Sequence, residues 1–366
     1  MAKKISVEAD SNDATTNPNV VVEEKRKIVK KEFSLANFKS KLNIKDDDLK
    51  ELTWLPLGEA YREATGLEGV PIGELTLFRG YSDTSKSSLL YEVAVSAQQN
   101  GYLPIIIDLE NALKREHMEN MGFNFDEPYI YVDTDYLLNE YGKSFDKSFN
   151  SPSIEDASEF VNDILDKQES GELGMDIVFC LDSFGSTDCR KSLTARVKDK
   201  EASNLWNAGA MEQAFKSIFH HRIPTTRKKS KPYTATFVAV QKIWFDSMAG
   251  GQGVVRHKSG ESAYSCARLI VHAGGIKTRG VEKVVVTKNK KSIVLGTLCP
   301  LKVAKNHCSN VSIEGKVFST THGIFMEKEM DDYKEKYMDY FLNQINEIND
   351  GNGIEVKIEV DNSKDE

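Results

Sequence analysis

Cysteine pairs, long apolar runs and an excess of positive charge are all missing from this chain of 366 residues. Its five cysteines form no CxxC pair and show no zinc-ligand spacing. No stretch comes near the ~20 apolar residues that span a bilayer, and the N-terminus carries no apolar signal core. The formal net charge of -8 excludes a uniformly basic nucleic-acid binder but leaves room for local basic stripes. We therefore expect reduced thiols and an intracellular, cytoplasmic protein.

Composition divides the chain into three parts. Residues 1–52 begin with polar sequence and continue with a run of mixed charge, which predicts a flexible N-terminal arm. Residues 53–326 carry the apolar runs of a core, and residues 327–366 predict one helix followed by an acidic tail. A chain of this length can form one large core with small additions at its ends, and two modest domains are the alternative.

From about Thr53 onward, apolar runs of strand length alternate with segments of helical pattern. The predicted helices include Ser87–Gln99 and Ile154–Lys167, and the predicted strands are Leu75–Phe78, Leu103–Ile107, Ile177–Leu181, Thr236–Val240 and Leu269–His272. Such alternation predicts an α/β fold whose mostly parallel central sheet is flanked by helices on both faces. Later segments predict short antiparallel strands at one edge, namely Lys283–Val286, Ile293–Leu295, Val311–Ile313 and Lys316–Ser319.

A loop rich in serine lies between the first of these strands and the helix that follows it. Its residues are Gly80, Tyr81, Ser82, Asp83, Thr84, Ser85, Lys86, Ser87 and Ser88. This context is that of an ATP-binding P-loop, in which backbone N–H groups cradle phosphate, Lys86 reaches the β- and γ-phosphates and the Ser87 hydroxyl holds Mg²⁺. The usual pattern has glycine where Ser85 stands, so Ser85 must keep a negative φ or tolerate strain. A serine-rich turn that caps a helix is the alternative.

Acidic residues follow two of the other predicted strands. Asp182 comes directly after Ile177–Leu181, and Glu110 stands three residues after Ile107. Ligands of open α/β sheets bind beyond the carboxyl ends of the strands, where both carboxylates are expected to lie. Asp182 is the candidate Mg²⁺ ligand, and Glu110 is the candidate general base that polarises the attacking water. Helix N-capping is the alternative for each acid.

A polar amide and two basic segments follow the same strand ends. Gln241, at the end of Thr236–Val240, is placed to sense the γ-phosphate. Residues 188–200 and 242–264 are predicted to be mobile basic loops, and their candidate DNA-binding side chains are Arg190, Lys191, Arg196, Lys198, Lys242, Trp244, Arg256, His257 and Lys258. Two such loops beside an ATP site indicate a nucleic-acid backbone as partner. Solvated loops of a metabolite kinase are the alternative.

The order of these motifs resembles that of the RecA-type recombinases, most closely their phage UvsX-like branch, from about Leu55 to Phe325. The matching segments include GVPIGELTLFRG, IIIDLENAL, MDIVFCLDSFGS, FVAVQKIW and LKVAKNH. The resemblance implies a RecA-like P-loop ATPase core over residues 53–326. UvsX-like proteins also carry a residue other than glycine before the P-loop lysine, so Ser85 fits the resemblance.

The resemblance gives individual residues their implied roles. Glu110, Asp182 and Gln241 stand at the positions of the catalytic glutamate, the acid that orients Mg²⁺ and the glutamine that couples the ATP state to DNA binding. The two basic segments match the family's DNA-binding loops. Phe33 and Ala36 form a Phe-x-x-Ala segment, which in some members of the family docks on the next subunit. The start of an ordinary amphipathic helix is the alternative for this segment. The further implied contacts are His117 against adenine, Lys305 on ATP bound by a neighbouring subunit, His307 where a second interface lysine often stands, and Phe33 and Ala36 on the next subunit. For His117, a surface histidine of a helix is the alternative.

The implied function is that of a DNA-dependent ATPase that uses ATP and Mg²⁺. Such a protein forms a helical filament on single-stranded DNA and promotes homologous pairing and strand exchange with duplex DNA. An ssDNA-binding protein and a loader protein are candidate partners, in a bacterial or phage-infected cell. The alternatives are a hexameric RecA-type helicase and a non-catalytic accessory paralogue, which Ser85 in the phosphate loop keeps open.

Overall fold

The computed structural model describes residues 48–142, 151–198, 200, 204–247, 254–257, 262–288, 291–344 and 355–361. All of them belong to one unit that begins at Asp48. Its strands are β1 (Trp54–Pro56), β2 (Gly69–Pro71), β3 (Leu75–Gly80), β4 (Leu103–Asp108), β5 (Ile130–Asp133), β6 (Ile177–Phe184), β7 (Ala235–Asp246), β8 (Val254–His257), β9 (Leu269–Ala273), β10 (Val281–Lys288), β11 (Lys291–Asn306), β12 (Glu314–Thr320), β13 (Gly323–Met326) and β14 (Glu355–Asp361).

Helices occupy much of the remaining described sequence. The α-helices are α1 (Glu59–Thr65), α2 (Lys86–Gln99), α3 (Arg115–Asn120), α4 (Thr134–Glu140), α5 (Ile154–Ser170), α6 (Arg190–Val197), α7 (Asn204–Ser217), α8 (Ile223–Thr225), α9 (Ser262–Cys266) and α10 (Met330–Gln344). A π-helical turn, Ile218–Arg222, joins α7 to α8, and a 3-10 turn, Glu327–Glu329, precedes α10. Within the described ranges, every helix is too short or too polar to cross a membrane.

The centre of the main sheet is parallel, with the strand order β9-β3-β7-β6-β4-β5. Its strands are continuous apolar runs because helices cover both faces, and β6 is buried at every position. Side chains alternate between the faces with the period of two that strands impose, so Leu77 and Phe78 enter different hydrophobic clusters. Helix α2 packs on one face, and α5 and α7 pack on the other. The predicted α/β class with a mostly parallel sheet is confirmed.

Antiparallel strands extend the sheet beyond β9. β11 pairs with β9, β12 and β10, and β13 closes this edge against β12. The predicted antiparallel strands Lys283–Val286, Ile293–Leu295 and Lys316–Ser319 lie within β10, β11 and β12. The predicted strand Val311–Ile313 is wrong, because no strand forms between β11 and β12. Both end residues instead cover the left-handed C-cap of α1, where a Cβ on Gly66 would lie 2.6 Å from Ile313 Cδ1 and 2.7 Å from Val311 Cγ1.

A strand near the C-terminus was not predicted. Residues 355–361 fall within the predicted acidic tail, but they form β14, which pairs antiparallel with β10. The register places Glu359 opposite Lys283, so opposite charges meet across the two strands. The sequence signal was the alternation of charged residues with Val356, Ile358 and Val360, which is the pattern of a strand.

Candidate nucleotide-binding site

The loop between β3 and α2 keeps a glycine-type backbone conformation although serine occupies the critical position. Ser85 is the N-cap of α2 and has φ 60° and ψ 10°, in the left-handed region. Asp83 also has a positive φ, of 59°. This region costs a residue with a Cβ on the order of 1 kcal/mol. Of the two possibilities left by the sequence, the structure shows the strained one, because Ser85 adopts a positive φ.

Close contacts fix the two ends of this loop. A Cβ at Gly80 would lie 2.1 Å from the carbonyl oxygen of Ala273 on neighbouring β9, so a side chain there would push the strands apart. The hydroxyl of Thr84 donates a hydrogen bond to the carbonyl oxygen of Tyr81 over 2.8 Å. The fully buried Tyr81 donates its own hydroxyl to the carbonyl of Ile276 over 3.1 Å. The loop is therefore anchored to the sheet edge that follows β9.

Lys86 is a buried cation at the start of α2. Its Nζ donates to the carbonyl oxygen of Tyr81 and, over 3.2 Å, to Thr84 Oγ1. Burial lowers the pKa of Lys86 to about 8, because the nearby charges of Asp182 and Glu110 offset the loss of water only in part. An anion bound beside Nζ would favour the charged form, which is what a phosphate-binding lysine requires.

Ser87 and Asp182, the predicted metal-binding pair, lie in direct contact. Ser87 Oγ donates to Asp182 Oδ2 over 2.5 Å, although the two residues stand on α2 and β6. Burial raises the pKa of Asp182 to about 6, despite the hydrogen bond from Ser87 and the charge of Lys86. Hydroxyl and carboxylate oxygens are ligands that Mg²⁺ prefers, and a cation there would hold Asp182 in its charged form. The donor set therefore fits the expected ion.

Glu110 is held beside this pair by three side chains. Its Oε1 accepts hydrogen bonds from Ser183 and, over 2.7 Å, from Ser186, and it lies 3.4 Å from Lys242 Nζ. Burial alone would raise the pKa of Glu110, but the two serine hydroxyls and the Lys242 charge outweigh it and lower the pKa below its usual value. Ser183 and Ser186 had no predicted role. Their one sequence signal is their place just after Asp182, at a strand end.

Asp108 fixes the backbone turn that carries Glu110. Its buried carboxylate accepts hydrogen bonds from the backbone N–H groups of Glu110 (3.2 Å), Ala112 (3.2 Å) and Leu113 (2.9 Å). These bonds satisfy the donors of the turn after β4. Asp108 thus holds the turn itself, because the next helix begins only after Lys114, and the Glu110 carboxylate remains available for another role.

Gln241 is fully buried in β7, opposite Arg79 of β3 in the register of the parallel pair. Neither its Oε1 nor its Nε2 has a hydrogen-bond partner within the described part of the chain. An unpaired buried amide costs roughly 1–3 kcal/mol, so such a group is expected to have a partner in another state of the protein. Its position at the carboxyl end of the sheet fits a partner on a bound nucleotide.

His117 lies on the short helix α3 and packs edge-on against Tyr91 of α2, with ring centroids 5.5 Å apart and an interplanar angle of 86°. Burial lowers the pKa of His117. The imidazole therefore borders the helix that begins at the phosphate loop, and its predicted contact with adenine stays a prediction.

The first basic segment is a helix rather than the predicted loop, since α6 covers most of residues 188–200. Arg190 is largely buried and pairs with Asp156 (2.6 Å) and Glu159 (2.9 Å) of α5, which favours an anchoring role over DNA binding. Arg196 pairs with Asp188. Lys191 Nζ lies 4.3 Å from the ring centroid of Trp206, and Lys198 is exposed.

The second basic segment also differs from the predicted loop. β7 continues to Asp246, and β8 returns beside it with Trp244 opposite Arg256. The described parts of residues 242–264 are therefore a β-hairpin followed by α9. Arg256 Nε lies 3.4 Å from Asp246 Oδ2, and the His257 ring lies 5.3 Å from that of Tyr264. The predicted Lys258 and the glycines of this segment lie outside the described residues.

The predicted subunit-interface residues stand in different situations. Lys305, on β11, donates its Nζ to the carbonyl oxygens of Tyr264 (3.2 Å) and Ser265 (3.0 Å) in α9. His307 is exposed, and its backbone N–H donates to the carbonyl of Arg268. Phe33 and Ala36 lie outside the described residues.

An α/β core with a large, mostly parallel sheet and further antiparallel strands is compatible with a RecA-like core. Parts of the chain are similar to the RecA protein of Aquifex pyrophilus, 32% identical over 81 residues, which are 22% of this chain and 23% of that protein. The RecA protein of Aquifex aeolicus is 28% identical over 114 residues, 29% of this chain and 32% of that protein. The RecA protein of Colwellia psychrerythraea is 38% identical over 67 residues, 18% of this chain and 19% of that protein.

No protein-family model matches the chain. The aligned parts span about a third or less of the RecA proteins themselves. These partial matches support a RecA-like family.

Proposed function

We propose that this chain is an ATP-dependent DNA recombinase of the RecA type, closest to the UvsX-like branch. It would form filaments on single-stranded DNA and promote homologous pairing and strand exchange, in the cytoplasm of a bacterial or phage-infected cell. The observation that carries the proposal is the meeting of Lys86, the Ser87–Asp182 pair and Glu110 at one sheet edge, next to the unpaired amide of Gln241.

ATP binding is assigned to the loop of residues 80–88 and the start of α2. Backbone N–H groups at a helix N-terminus attract phosphate, and Lys86 adds a charge with three donors. Mg²⁺, when bound with ATP, would be held by Ser87 and Asp182 and neutralises charge on the β- and γ-phosphates. Binding here would replace the loop carbonyl of Tyr81 as the partner of Lys86.

Glu110 is assigned to the attacking water. Its lowered pKa keeps the carboxylate charged at neutral pH, so it can accept a hydrogen bond from water and orient it toward the phosphate. Ser183 and Ser186 fix the carboxylate in place through Oε1. A positioned acceptor of this kind lowers the entropic part of the barrier.

Two neighbouring residues connect this chemistry to the β7–β8 hairpin, which lies in the predicted DNA-binding segment. Gln241 and Lys242 are consecutive residues of β7, which continues directly into the hairpin with β8. In the proposed mechanism, the amide of Gln241 pairs with the γ-phosphate while Lys242 contacts Glu110. Loss of the γ-phosphate would leave the Gln241 amide unpaired again and loosen the strand that carries Trp244 and Arg256. ATP would thereby control the grip on DNA.

The two alternatives are separated by observation and by experiment. The retained left-handed conformation at Ser85 disfavours a degenerate, non-catalytic phosphate loop.

A hexameric helicase would form closed rings. We therefore suggest electron microscopy of the protein on single-stranded DNA with a non-hydrolysable ATP analogue, together with fluorescence anisotropy of labelled ssDNA. Open filaments, and tighter ssDNA binding with the analogue than with ADP, are expected. Closed rings, or ssDNA affinity that is independent of nucleotide, would contradict the proposal.

A further inference from the structure

The turn between β12 and β13, residues 320–323, is held by a box of aromatic rings. His322 stacks on Tyr337 with centroids 4.1 Å apart and an interplanar angle of 23°. Its Nδ1 lies 2.8 Å from the Tyr333 hydroxyl, and its ring meets Tyr340 edge-on at 5.3 Å. All three tyrosines stand on α10, so one imidazole joins the turn to this helix.

Helix α10 is itself firmly anchored. Tyr333 is buried, and with Phe341 and Leu342 of the same helix it enters a hydrophobic cluster. The other members of that cluster lie on the antiparallel strands: Val284, Val286, Leu295, Leu298 and Phe318. A side chain that contacts α10 therefore contacts a fixed surface, which His322 can use to hold the turn.

The opposite side of the same turn contacts α3. Asn120 Nδ2 lies 3.5 Å from the carbonyl oxygen of Thr321. Burial lowers the pKa of His117, and the nearby Thr320 backbone of the turn opposes this shift. The second imidazole nitrogen, Nε2, is buried without a hydrogen-bond partner among the described residues. The His117 ring thus packs against Tyr91 and stands on the helix that the turn contacts through Asn120.

We propose that His322 is a positioning residue for nucleotide binding. By fixing the turn between α10 and α3, it sets the orientation of the His117 ring, the side chain that the RecA-type resemblance places against the adenine base. This inference rests on the proposed function and adds to it a contribution from α10. The contribution reaches the adenine base through His117 and leaves phosphate binding by the loop of residues 80–88 unaffected.

The experiment compares a ligand that has a base with one that lacks it. The dissociation constants of ATP and of inorganic tripolyphosphate are measured by calorimetry for wild type, His322→Ala, His117→Ala and the double variant, with kcat and KM for ATP alongside. His322→Ala should weaken ATP binding and raise KM about fivefold, with tripolyphosphate affinity and kcat nearly unchanged. Because His322 acts through His117, the double variant should bind ATP no more weakly than His117→Ala.

Two further variants separate positioning from simple damage. His322→Phe keeps a ring to stack on Tyr337 and should recover part of the ATP affinity. Glu335→Ala, an exposed position of the same helix, should behave as wild type. Unchanged ATP affinity in His322→Ala, an equal loss for tripolyphosphate, or additive effects in the double variant would overturn the role of His322. A wild-type protein that binds no ATP would overturn the proposed function as well.

Discussion

Ser87 Oγ and Asp182 Oδ2 lie 2.5 Å apart, and their hydrogen bond joins the first turn of α2 to the carboxyl end of β6. In the strand order, β7 lies between β3 and β6. The bond therefore reaches across the position of β7 and brings the start of α2, which follows β3, to the end of β6. The side chains assigned to Mg²⁺ are already adjacent, and Glu110 and Lys86 flank them. Each of the following predictions tests one part of this arrangement.

Asp182 is expected to make stability depend on pH. Its pKa is raised from an ordinary 3.8 to about 6 in the folded protein, so the folded state binds this proton more tightly than the unfolded state. The stabilising contribution is present below about pH 4 and is lost as the pH rises through about 6. Asp182→Asn removes this pH dependence, so between these limits the unfolding free energy of the variant should rise by about 3 kcal/mol relative to that of wild type. Urea unfolding without nucleotide or Mg²⁺ measures this. A difference that is constant with pH would contradict the burial of this charge.

Ser85 is expected to cost stability without slowing the chemistry. Glycine adopts the left-handed conformation freely, so Ser85→Gly should leave ATP turnover at least at the wild-type rate. Ser85→Val should lower the unfolding free energy by about 1 kcal/mol or more, because a branched Cβ suits this conformation poorly. Thermal unfolding and steady-state turnover of both variants decide the matter. A Ser85→Gly protein with much slower turnover would show that the serine side chain itself takes part.

Gln241 is expected to lower the stability of the protein while it couples ATP binding to DNA binding. Gln241→Met replaces an unpaired buried amide by an apolar side chain of similar length and should raise the unfolding free energy by about 1 kcal/mol. It should also abolish the effect of a non-hydrolysable ATP analogue on ssDNA affinity. Gln98→Met is the matched control: Gln98 exchanges two hydrogen bonds with the backbone of Asn124, so stability should fall while the analogue still strengthens DNA binding. The same response in both variants would refute the coupling role.

Arg190 and Arg256 are expected to behave in opposite ways. Arg190→Ala leaves the buried Asp156 carboxylate without its ion pair and should lower the unfolding free energy by about 2 kcal/mol. Arg256 is half exposed on the hairpin, so Arg256→Ala should change stability by less than about 0.5 kcal/mol. If Arg256 contacts a DNA phosphate, its loss should reduce the salt dependence of ssDNA binding by about one unit of slope. A stable Arg190→Ala protein with selectively weaker DNA binding would reverse this assignment.

The strand ends of the site could be predicted from sequence because each apolar run of the parallel sheet stops at a polar residue. β4, β6 and β7 are buried on both faces, so their runs are unbroken, and Asp182 and Gln241 mark the points where they reach the site. The parallel order then brings these ends to one edge without further information.

The parts that were mispredicted depend on contacts between distant residues. The basic residues around Arg190 led to the prediction of a loop. The acidic partners of Arg190 stand about 30 residues earlier in the chain, on α5, and the local sequence does not reveal them. The pairing of β7 with β8 is not predicted because the sequence between the two strands is rich in glycine, which indicates a loop. The strand β14 is not predicted because its pairing partner, β10, lies about 70 residues earlier in the chain. Ser183 and Ser186 carry no local pattern that marks them as partners of Glu110.

The central claim, that ATP hydrolysis at this site is coupled to DNA, is tested most directly by steady-state ATP turnover with and without single-stranded DNA. Wild type, Lys86→Ala and Glu110→Gln are compared, with Glu127→Gln as an exposed control. Wild type and Glu127→Gln should turn over ATP faster when ssDNA is added. Lys86→Ala should lose turnover in both conditions, and Glu110→Gln should lose it by a factor of about a hundred while still binding ssDNA with ATP. Turnover that ignores ssDNA, or Lys86→Ala and Glu110→Gln proteins that hydrolyse ATP at the wild-type rate, would contradict the account.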